Sequence, residues 1–193
     1  RLLTVGTDCS CGKMFTALAI EREMKGRGMQ ADFRATGQTG ILIAGSGISV
    51  DAVVADFIAG AVEWLTPAAD ATDHWDLIEG QGSLFHPSYA GVSLGLLHGA
   101  QADALVMCHE PTRTHMRGLR DAELPSLSEC IALNESCGRL TNPKCRVIGL
   151  SVNTAALDDD GARRLLARIE DDIGLPAVDA YRHGAGRLVD ALG

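Results

Sequence analysis

The chain has few aromatic residues and no excess of positive charge, and these absences restrict the partners it can bind. Aromatic side chains make up 4% of the 193 residues, and 17 Lys and Arg stand against 25 Asp and Glu, for a net charge of -8. Nucleic acids and anionic membrane surfaces are usually bound through a basic patch. The chain also lacks the run of about 18 apolar residues that a membrane-spanning helix needs. We therefore expect neither nucleic acid nor a membrane as a partner.

Cysteine is present but lacks the spacings of a zinc site or of a disulfide framework. The six cysteines are Cys9, Cys11, Cys108, Cys130, Cys137 and Cys145, and no paired CxxC motifs occur among them. The opening residues RLLTV also lack the charged segment, apolar segment and cleavage site of a secretory signal. We expect reduced thiols, no bound metal and a cytoplasmic location.

Short apolar runs alternate with helical patterns, which is typical of a parallel sheet covered by helices on both faces. The length suits one domain over residues 1–193. We predict an α/β fold: a three-layer αβα sandwich with a mostly parallel, doubly wound sheet. The predicted strands are residues 2–5, 31–35, 76–79, 104–108 and 147–152. The predicted helices are residues 14–25, 50–64, 161–171 and 184–192, with a candidate helical flap over residues 119–144.

The segment between the first strand and the first helix has the features of a phosphate-binding loop. Glycines let successive backbone N–H groups turn towards an anion, the helix start adds partial positive charge, and Lys13 supplies a mobile cation. Five residues separate the two glycines where the common loop has four, and Met14 replaces the Ser or Thr that binds magnesium. We predict a P-loop NTPase-like fold whose loop binds cofactor phosphates. The binding residues are Gly6, Thr7, Asp8, Cys9, Ser10, Cys11, Gly12, Lys13 and Met14.

Polar residues also follow the other predicted strands, at the sheet edge where parallel sheets bind ligands. Glu79 begins the segment EGQGS and can hold a metal, accept the proton of a substrate amine or cap a helix. His86 is either a general base or a packed histidine satisfied by a backbone carbonyl. Arg113 can bind a substrate carboxylate or form a surface ion pair. Asn153 can hydrogen-bond a purine edge or occupy a turn.

Two further segments have polar residues without an obvious acid or nucleophile. Residues 36–40, TGQTG, form either a ligand-binding loop or a tight turn. Asp51 follows the segment GSGIS and is expected to cap the helix predicted there.

The chain resembles two groups of proteins to different extents. The loop GTDCSCGKM, the segment EGQG and Asn153 resemble the dethiobiotin synthetase branch of P-loop proteins, at scattered positions only. Most of the chain resembles the carboxyl-terminal domain of a bacterial family first described as of unknown function and now associated with D-amino-acid N-acetylation. The motifs that carry this second resemblance are TVGTDCSCGKM, ATGQTGILIAGSGISVDAVVADFIAGA, EGQGSLFHPSYAGVSLGLLHGAQADALVMCHEPTR and GLSVNT.

The second resemblance implies D-glutamate N-acetyltransferase activity with acetyl-CoA as co-substrate. It also implies a smaller Rossmann-like domain before this one, and we expect such an upstream domain because the sequence opens directly on an apolar run without an initiator Met. A homo-oligomer is the usual expectation. In this hypothesis the phosphate loop and Asn153 bind the cofactor, His86 or Glu79 takes the amine proton, and Arg113 pairs with a substrate carboxylate.

Two alternatives use the same loop. In an ATP-dependent ligase or kinase, Glu79 and Asp8 hold magnesium while Lys13 stabilises the transferred phosphoryl group, although Met14 disfavours this reading. A non-catalytic nucleotide-binding domain would need no base at His86.

Overall fold

The computed structural model describes all residues, 1–193, and contains one six-stranded sheet with helices on both faces. The strands are β1 (Leu2–Gly6), β2 (Ala31–Arg34), β3 (Trp75–Ile78), β4 (Ala104–His109), β5 (Arg146–Val152) and β6 (Ala177–Val178). They lie in the order β2-β3-β1-β4-β5-β6, and every pairing is parallel. The loops that follow β1, β3 and β4 therefore meet at one edge of the sheet. The predicted α/β fold with a doubly wound parallel sheet is confirmed.

Two apolar clusters attach the helices to the sheet. The helices are α1 (Lys13–Gly26), α2 (Gln38–Ala44), α3 (Ile58–Leu65), α4 (Ala90–Ala100), α5 (Leu127–Gly138), α6 (Asp159–Ile173) and α7 (Gly186–Asp190). On one face, buried residues of α3, α4, α5 and α6 pack with Leu105 and Leu150 of the sheet. On the other face, residues of α1 and α7 pack with Leu77 and Val106. None of the helices combines the length and apolar character required to cross a bilayer.

The continuous helix predicted over residues 50–64 is wrong. Two short 3-10 helices cover Val50–Ala52 and Ala55–Phe57, and α3 begins only at Ile58. Val53 and Val54 separate the pieces in extended conformations, with ψ of 138° and 135°. Both residues are β-branched and lose side-chain freedom in a helix, so the chain extends at this pair.

The sequence patterns do not predict α4, because its glycines weaken the helical signal. Those glycines allow close packing against α3. A Cβ at Gly95 would lie 2.7 Å from Ile58 Cγ2, and a Cβ at Gly99 would overlap the Ala59 carbonyl oxygen.

In the predicted flap only α5 is helical, and its start is stabilised by a capping box between Ser126 and Glu129.

We expect Gly80→Ala to destabilise the protein strongly. Gly80 lies against the central strand, where an added Cβ would overlap the Thr4 carbonyl oxygen and lie 2.7 Å from its carbon. Because the overlapped atoms are backbone, the clash can be removed only if β1 and the loop after β3 move apart. We therefore expect the free energy of unfolding to fall by about 3 kcal/mol or more. Urea denaturation measures this change.

Gly26→Ala is the matched control, since a Cβ at Gly26 meets nothing within 4 Å. Alanine is the better helix former, so this variant should be as stable as wild type or slightly more stable. A Gly80→Ala protein with wild-type stability would contradict the close packing of Gly80 against Thr4.

Candidate functional site

The loop between β1 and α1 presents a run of unpaired backbone donors. None of the N–H groups of residues 10–15 has an acceptor in the protein, and the first helical hydrogen bond runs from Thr16 N to Gly12 O. Gly12 makes the turn into α1 with φ of 102°, a conformation that favours glycine. No side chain caps this helix start. The free donors and the helix dipole together are suited to bind an anion.

Lys13 lies at the base of this loop and is 6% exposed. Its Nζ donates to the carbonyl oxygen of Asp8 at 2.7 Å and lies 3.5 Å from Cys11 Sγ. The ammonium group carries three donors, so it can contact an anion while the bond to Asp8 persists. Its side chain also lines the large cleft beside the loop.

This cleft has a volume of about 570 Å³ and lies between the phosphate loop and the segments that follow β2 and β3, including the start of α2. It brings together a part of the predicted phosphate-binding set, the predicted carboxylate Glu79, the segment TGQTG and Asp51. Gly6, Thr7, Asp8 and Cys11 lie behind the cleft wall, and all four are buried. The lining residues are Cys9, Ser10, Gly12, Lys13, Met14, Phe15, Gly37, Gln38, Thr39, Asp51, Glu79, Gly80, Gln81, Gly82, Tyr89 and Val92.

Glu79 presents one carboxylate oxygen to this cleft. Oε2 accepts hydrogen bonds from the backbone N–H groups of Thr36, at 2.9 Å, and Gly37, at 3.0 Å. Oε1 has no partner in the protein and is not sealed from solvent, although the residue is only 5% exposed. A Cβ at Gly40 would overlap Oε2. The segment TGQTG therefore holds one oxygen of Glu79 in place and leaves the other free to accept a proton.

Asp8 connects the phosphate loop to the segment after β4. Its Oδ1 accepts from Cys9 N at 2.7 Å, and its Oδ2 accepts from Arg117 N and from Arg113 Nη1, both at 2.9 Å. Burial by itself raises the pKa of this carboxyl group, but the hydrogen bonds together hold the pKa below its usual value. Asp8 is thus an ionised structural group whose oxygens both have protein partners.

Arg113 braces the phosphate loop and does not line the cleft. Its Nη1 also donates to the Cys9 carbonyl oxygen at 2.7 Å, its Nη2 to Ser10 O at 3.0 Å, and its Nε lies 2.9 Å from Glu110 Oε2. These contacts use four of the five donors of a guanidinium group. Arg113 therefore supports the phosphate loop from behind in this structure, as in the ion-pair alternative, and its pairing with a substrate carboxylate stays a prediction.

We expect Asp8→Asn to destabilise the protein at neutral pH. An amide cannot accept the same set of hydrogen bonds, and we expect a loss of about 1–3 kcal/mol in the free energy of unfolding. A carboxylate with a pKa lowered by folding stabilises the protein above its unfolded pKa and loses that contribution as pH falls through the folded value. Below about pH 4 the variant should therefore lose less stability than wild type.

Urea denaturation between neutral and acidic pH measures both effects. Asp160→Asn is the control, because Asp160 makes only an exposed ion pair with Arg163. Exposed pairs of this kind are screened by solvent and contribute little to stability, so the control should follow wild type at every pH. Equal acid sensitivity of Asp8→Asn and wild type would contradict the buried carboxylate.

His86 is also buried away from the cleft, with both ring nitrogens engaged. Nδ1 accepts from Ser88 N at 3.2 Å, so the proton lies on Nε2, which donates to the Arg117 carbonyl oxygen at 3.1 Å. A ring in this state has no lone pair available for a substrate proton. These contacts match the packed-histidine alternative, and a role of His86 as a general base stays a prediction.

The residues of the loop do not fit a magnesium ion well. Met14 stands where the usual ligand hydroxyl would be, and the hydroxyl of Thr16 is paired with Ser151 Oγ at 2.8 Å. Possible ligand atoms of Asp8, Cys9 and His86 lie within 4.8 Å of one another. The carboxylate and the imidazole are already hydrogen-bonded, and burial and the nearby Asp8 raise the pKa of the Cys9 thiol. The site is therefore better suited to an anion than to a metal.

A second cavity, of about 300 Å³, lies on the other side of Gly12 and Phe15. Asn153 lines it, and its Oδ1 accepts from Ala155 N at 3.1 Å, as in a turn. The Asn153 amide Nδ2 has no protein partner. Tyr181 lines the same cavity, with its ring 5.7 Å from that of Phe15. The Oδ1 of Asn153 thus stabilises a turn, while its Nδ2 remains an unpaired donor in the cavity that Phe15 and Tyr181 also line.

Several lining residues are absent from the sequence-based assignment. Tyr89 and Asp51 reach the large cleft, and Phe15 borders both cavities. Asp51 accepts a hydrogen bond from Ser49 Oγ at 2.6 Å and makes no cap contact. The position of Phe15 two residues after Lys13, at the start of α1, is a signal that sequence reasoning could have used.

Proteins similar to this chain carry a consistent description. Residues 1–189 match the family described as "Domain of unknown function (DUF1611_C) P-loop domain". A protein from Tritonibacter scottomollicae named D-glutamate N-acetyltransferase is 60% identical over 192 residues, and one of the same name from Pseudoalteromonas sp. is 55% identical. These matches cover 100% of this chain, which spans 57% and 58% of the two proteins, respectively.

Solved structures give the same relationship. A crystal structure of a DUF1611 family protein from Anabaena variabilis has a TM-score of 0.94 at 40% identity, over 100% of this chain and 56% of that one. A cobyrinic acid a,c-diamide synthase from Mycobacterium smegmatis, crystallised with ADP and magnesium, has a TM-score of 0.55 at 16% identity, over 91% of this chain and 83% of that one. The latter likeness concerns the fold alone. The phosphate loop, the sheet order and the match along nearly the whole chain lead to one conclusion: the chain belongs to the DUF1611 family and is a P-loop domain of that family.

Proposed function

We propose that this chain is the acetyl-CoA-binding part of an N-acetyltransferase that acts on the amine of a D-amino acid, with D-glutamate as the first candidate. The names of the two relatives support the reaction class. One observation carries the proposal: one cleft is bordered by Lys13, by Glu79 with its unpaired carboxylate oxygen, and by most of the residues whose N–H groups are unpaired, namely Ser10, Gly12, Met14 and Phe15. The six free thiols suit a reducing, cytoplasmic location.

Coenzyme A carries several phosphate groups and an adenine ring, and both fit features of the loop region. The backbone donors of residues 10–15 and the Lys13 ammonium would bind phosphate without a metal. The cavity beside Asn153 would take the adenine ring, with its free amide donor facing a purine nitrogen and with Phe15 and Tyr181 as aromatic neighbours. The large cleft on the other side of Phe15 would then hold the acetyl group and the amino acid.

Glu79 is the base that we assign to the reaction. The amine nitrogen attacks the thioester carbonyl carbon, forming the C–N bond, and Glu79 Oε1 takes the proton that the amine releases. The C–S bond then breaks, and the proton held by Glu79 passes to the departing sulfur, so that coenzyme A leaves as a thiol and Glu79 is again ionised. The N–H groups of Thr36 and Gly37 are engaged by Glu79, and that of Gly80 by Thr4 Oγ1. Stabilisation of the developing oxyanion must therefore come from other donors.

The cleft offers the carboxylates of D-glutamate few positive partners. Lys13 is its only cationic lining residue, and Glu79 and Asp51 are acidic. Arg113 is engaged behind the loop. We therefore expect a cation for substrate recognition to come from the part of the full-length protein that lies outside this chain.

Isothermal titration of the full-length protein with acetyl-CoA, and separately with ATP and magnesium, tests the proposal. Acetyl-CoA should bind without a metal, and incubation with D-glutamate should yield N-acetyl-D-glutamate, with L-glutamate as the stereochemical control. Metal-dependent binding of ATP without acetyl transfer would overturn the proposal. That outcome would favour a ligase or kinase, or a nucleotide-binding domain if no phosphoryl transfer were detected.

A further inference from the structure

Helix α3 has an exposed apolar face in addition to its buried one. Ile58, Val62 and Leu65 are buried against the rest of the domain. On the opposite side, Phe57, immediately before the helix, and Trp64 are 67% and 77% exposed, and Val54 is 67% exposed. Large apolar side chains grouped on a surface usually mark an interaction site.

The spacing of these residues suits close packing against another element. Phe57, Gly60 and Trp64 recur at intervals of three and four, so they lie along one face of the helix. Gly60 is exposed, and a Cβ there would meet nothing within 4 Å. The two aromatic side chains thus flank a notch at Gly60 into which a partner's side chain can pack. At the rise of an α-helix, Phe57 and Trp64 are separated by about 10 Å along the helix axis. This face is called the α3 apolar face below.

The position of residue 1 favours one kind of partner. Arg1 Nη2 donates to the carbonyl oxygen of Thr66 at 2.6 Å, two residues beyond Trp64. A segment joined to residue 1 would therefore start beside this end of α3. The curated relatives extend well beyond the matched region, since the chain spans 57% and 58% of their length. Tethering gives a preceding segment a high effective concentration at a nearby surface.

Charge around the α3 apolar face also restricts the partner. Asp56 and Glu63 are exposed and lie next to Phe57 and Trp64 in the sequence. Complementary contacts would come from a surface with apolar residues at its centre and Lys or Arg at its rim.

We propose that the α3 apolar face is the docking surface for the part of the full-length protein that precedes residue 1. This interface would hold the preceding part next to α3 whether or not the protein is an acetyltransferase. It buries Phe57 and Trp64, the largest apolar side chains on the face, which are the kind of residue that dominates interface energetics.

A specific protease site placed immediately before residue 1 of the full-length protein tests this assignment. After cleavage, the two fragments of the otherwise wild-type protein should co-elute in gel filtration. In Trp64→Asp and in Phe57→Asp they should separate, because a buried unpaired carboxylate opposes docking. Leu140→Asp is the matched control, since Leu140 is 75% exposed and follows α5, and its fragments should stay together.

Circular dichroism and thermal melting establish that each variant is folded, and the two variants provide independent tests of the same face. Separation of the wild-type fragments would overturn the proposal. Co-elution that persists in both aspartate variants would also overturn it. A fall in oligomer mass without release of the preceding fragment would instead assign the face to a second copy of the chain.

Discussion

Glu79→Gln is expected to lower kcat by about 10²- to 10⁴-fold and to leave the affinity for acetyl-CoA unchanged. The glutamine oxygen can still accept the N–H groups of Thr36 and Gly37 that hold Oε2. The amide group would then occupy the position of Oε1, where it cannot accept a proton from the amine. Steady-state kinetics with acetyl-CoA and D-glutamate, together with calorimetric titration of acetyl-CoA, measure the two quantities separately.

Asp51→Asn is the control in the same cleft. Asp51 is exposed and hydrogen-bonded to Ser49, so removal of its charge should change kcat by less than about tenfold. If Glu79→Gln kept nearly full activity, Glu79 could not be the base. A loss of activity accompanied by a lower melting temperature would point to a structural role, which Glu79→Asp would then separate from proton transfer.

Lys13→Met is expected to weaken acetyl-CoA binding by about 10- to 100-fold. Charge-assisted hydrogen bonds contribute about 1.5–3 kcal/mol, and each 1.4 kcal/mol corresponds to a factor of about ten in Kd. Methionine retains an apolar stem in this buried position, so the loop keeps most of its packing. Calorimetric titration at fixed ionic strength measures the change in Kd.

Lys25→Met is the matched control on the same helix. Lys25 is exposed at the other end of α1, where it pairs with Glu21, and it should not affect binding. The Lys13 variant should also bind inorganic pyrophosphate less tightly, because this probe reports on the phosphate contacts alone. An unchanged Kd for acetyl-CoA in Lys13→Met would exclude the phosphate loop as the binding site.

The two variants address different steps of the proposed reaction. Lys13 acts on binding, so its loss should raise Kd, whereas Glu79 acts on proton transfer, so its loss should lower kcat. If the loop only binds a nucleotide, Lys13→Met should still weaken nucleotide binding. The wild-type protein would then show no acetyl transfer, and Glu79→Gln would have no effect on activity.

Local patterns in the sequence were sufficient for the phosphate loop and for the parallel sheet. The alternation of short apolar runs with helical patterns predicts a sheet covered by helices, because the spacing of apolar residues in each segment shows whether it forms a buried strand or a helix with one buried face. The loop is recognisable because Gly12 and Lys13 are adjacent at a strand-to-helix junction, and a short contiguous segment supplies all of its backbone donors. Helix α4 could not be predicted from these patterns. Its glycines weaken the helical signal, and the reason for them, close packing against α3, is visible only in the tertiary structure.

Only the tertiary structure shows which atoms of Glu79, His86 and Arg113 already have partners. Each side chain type is able to perform catalysis, and what it does depends on which of its atoms already have partners. Glu79 keeps one oxygen free because the distant segment TGQTG holds the other. His86 Nε2 and Arg113 Nη1 are bound by residues far away in the chain, in addition to their local partners Ser88 and Glu110. Such contacts join positions with no fixed spacing in the sequence. The sequence by itself therefore determined the fold and the position of the phosphate loop, and the packing of distant loops decided which polar groups remain free to meet a ligand.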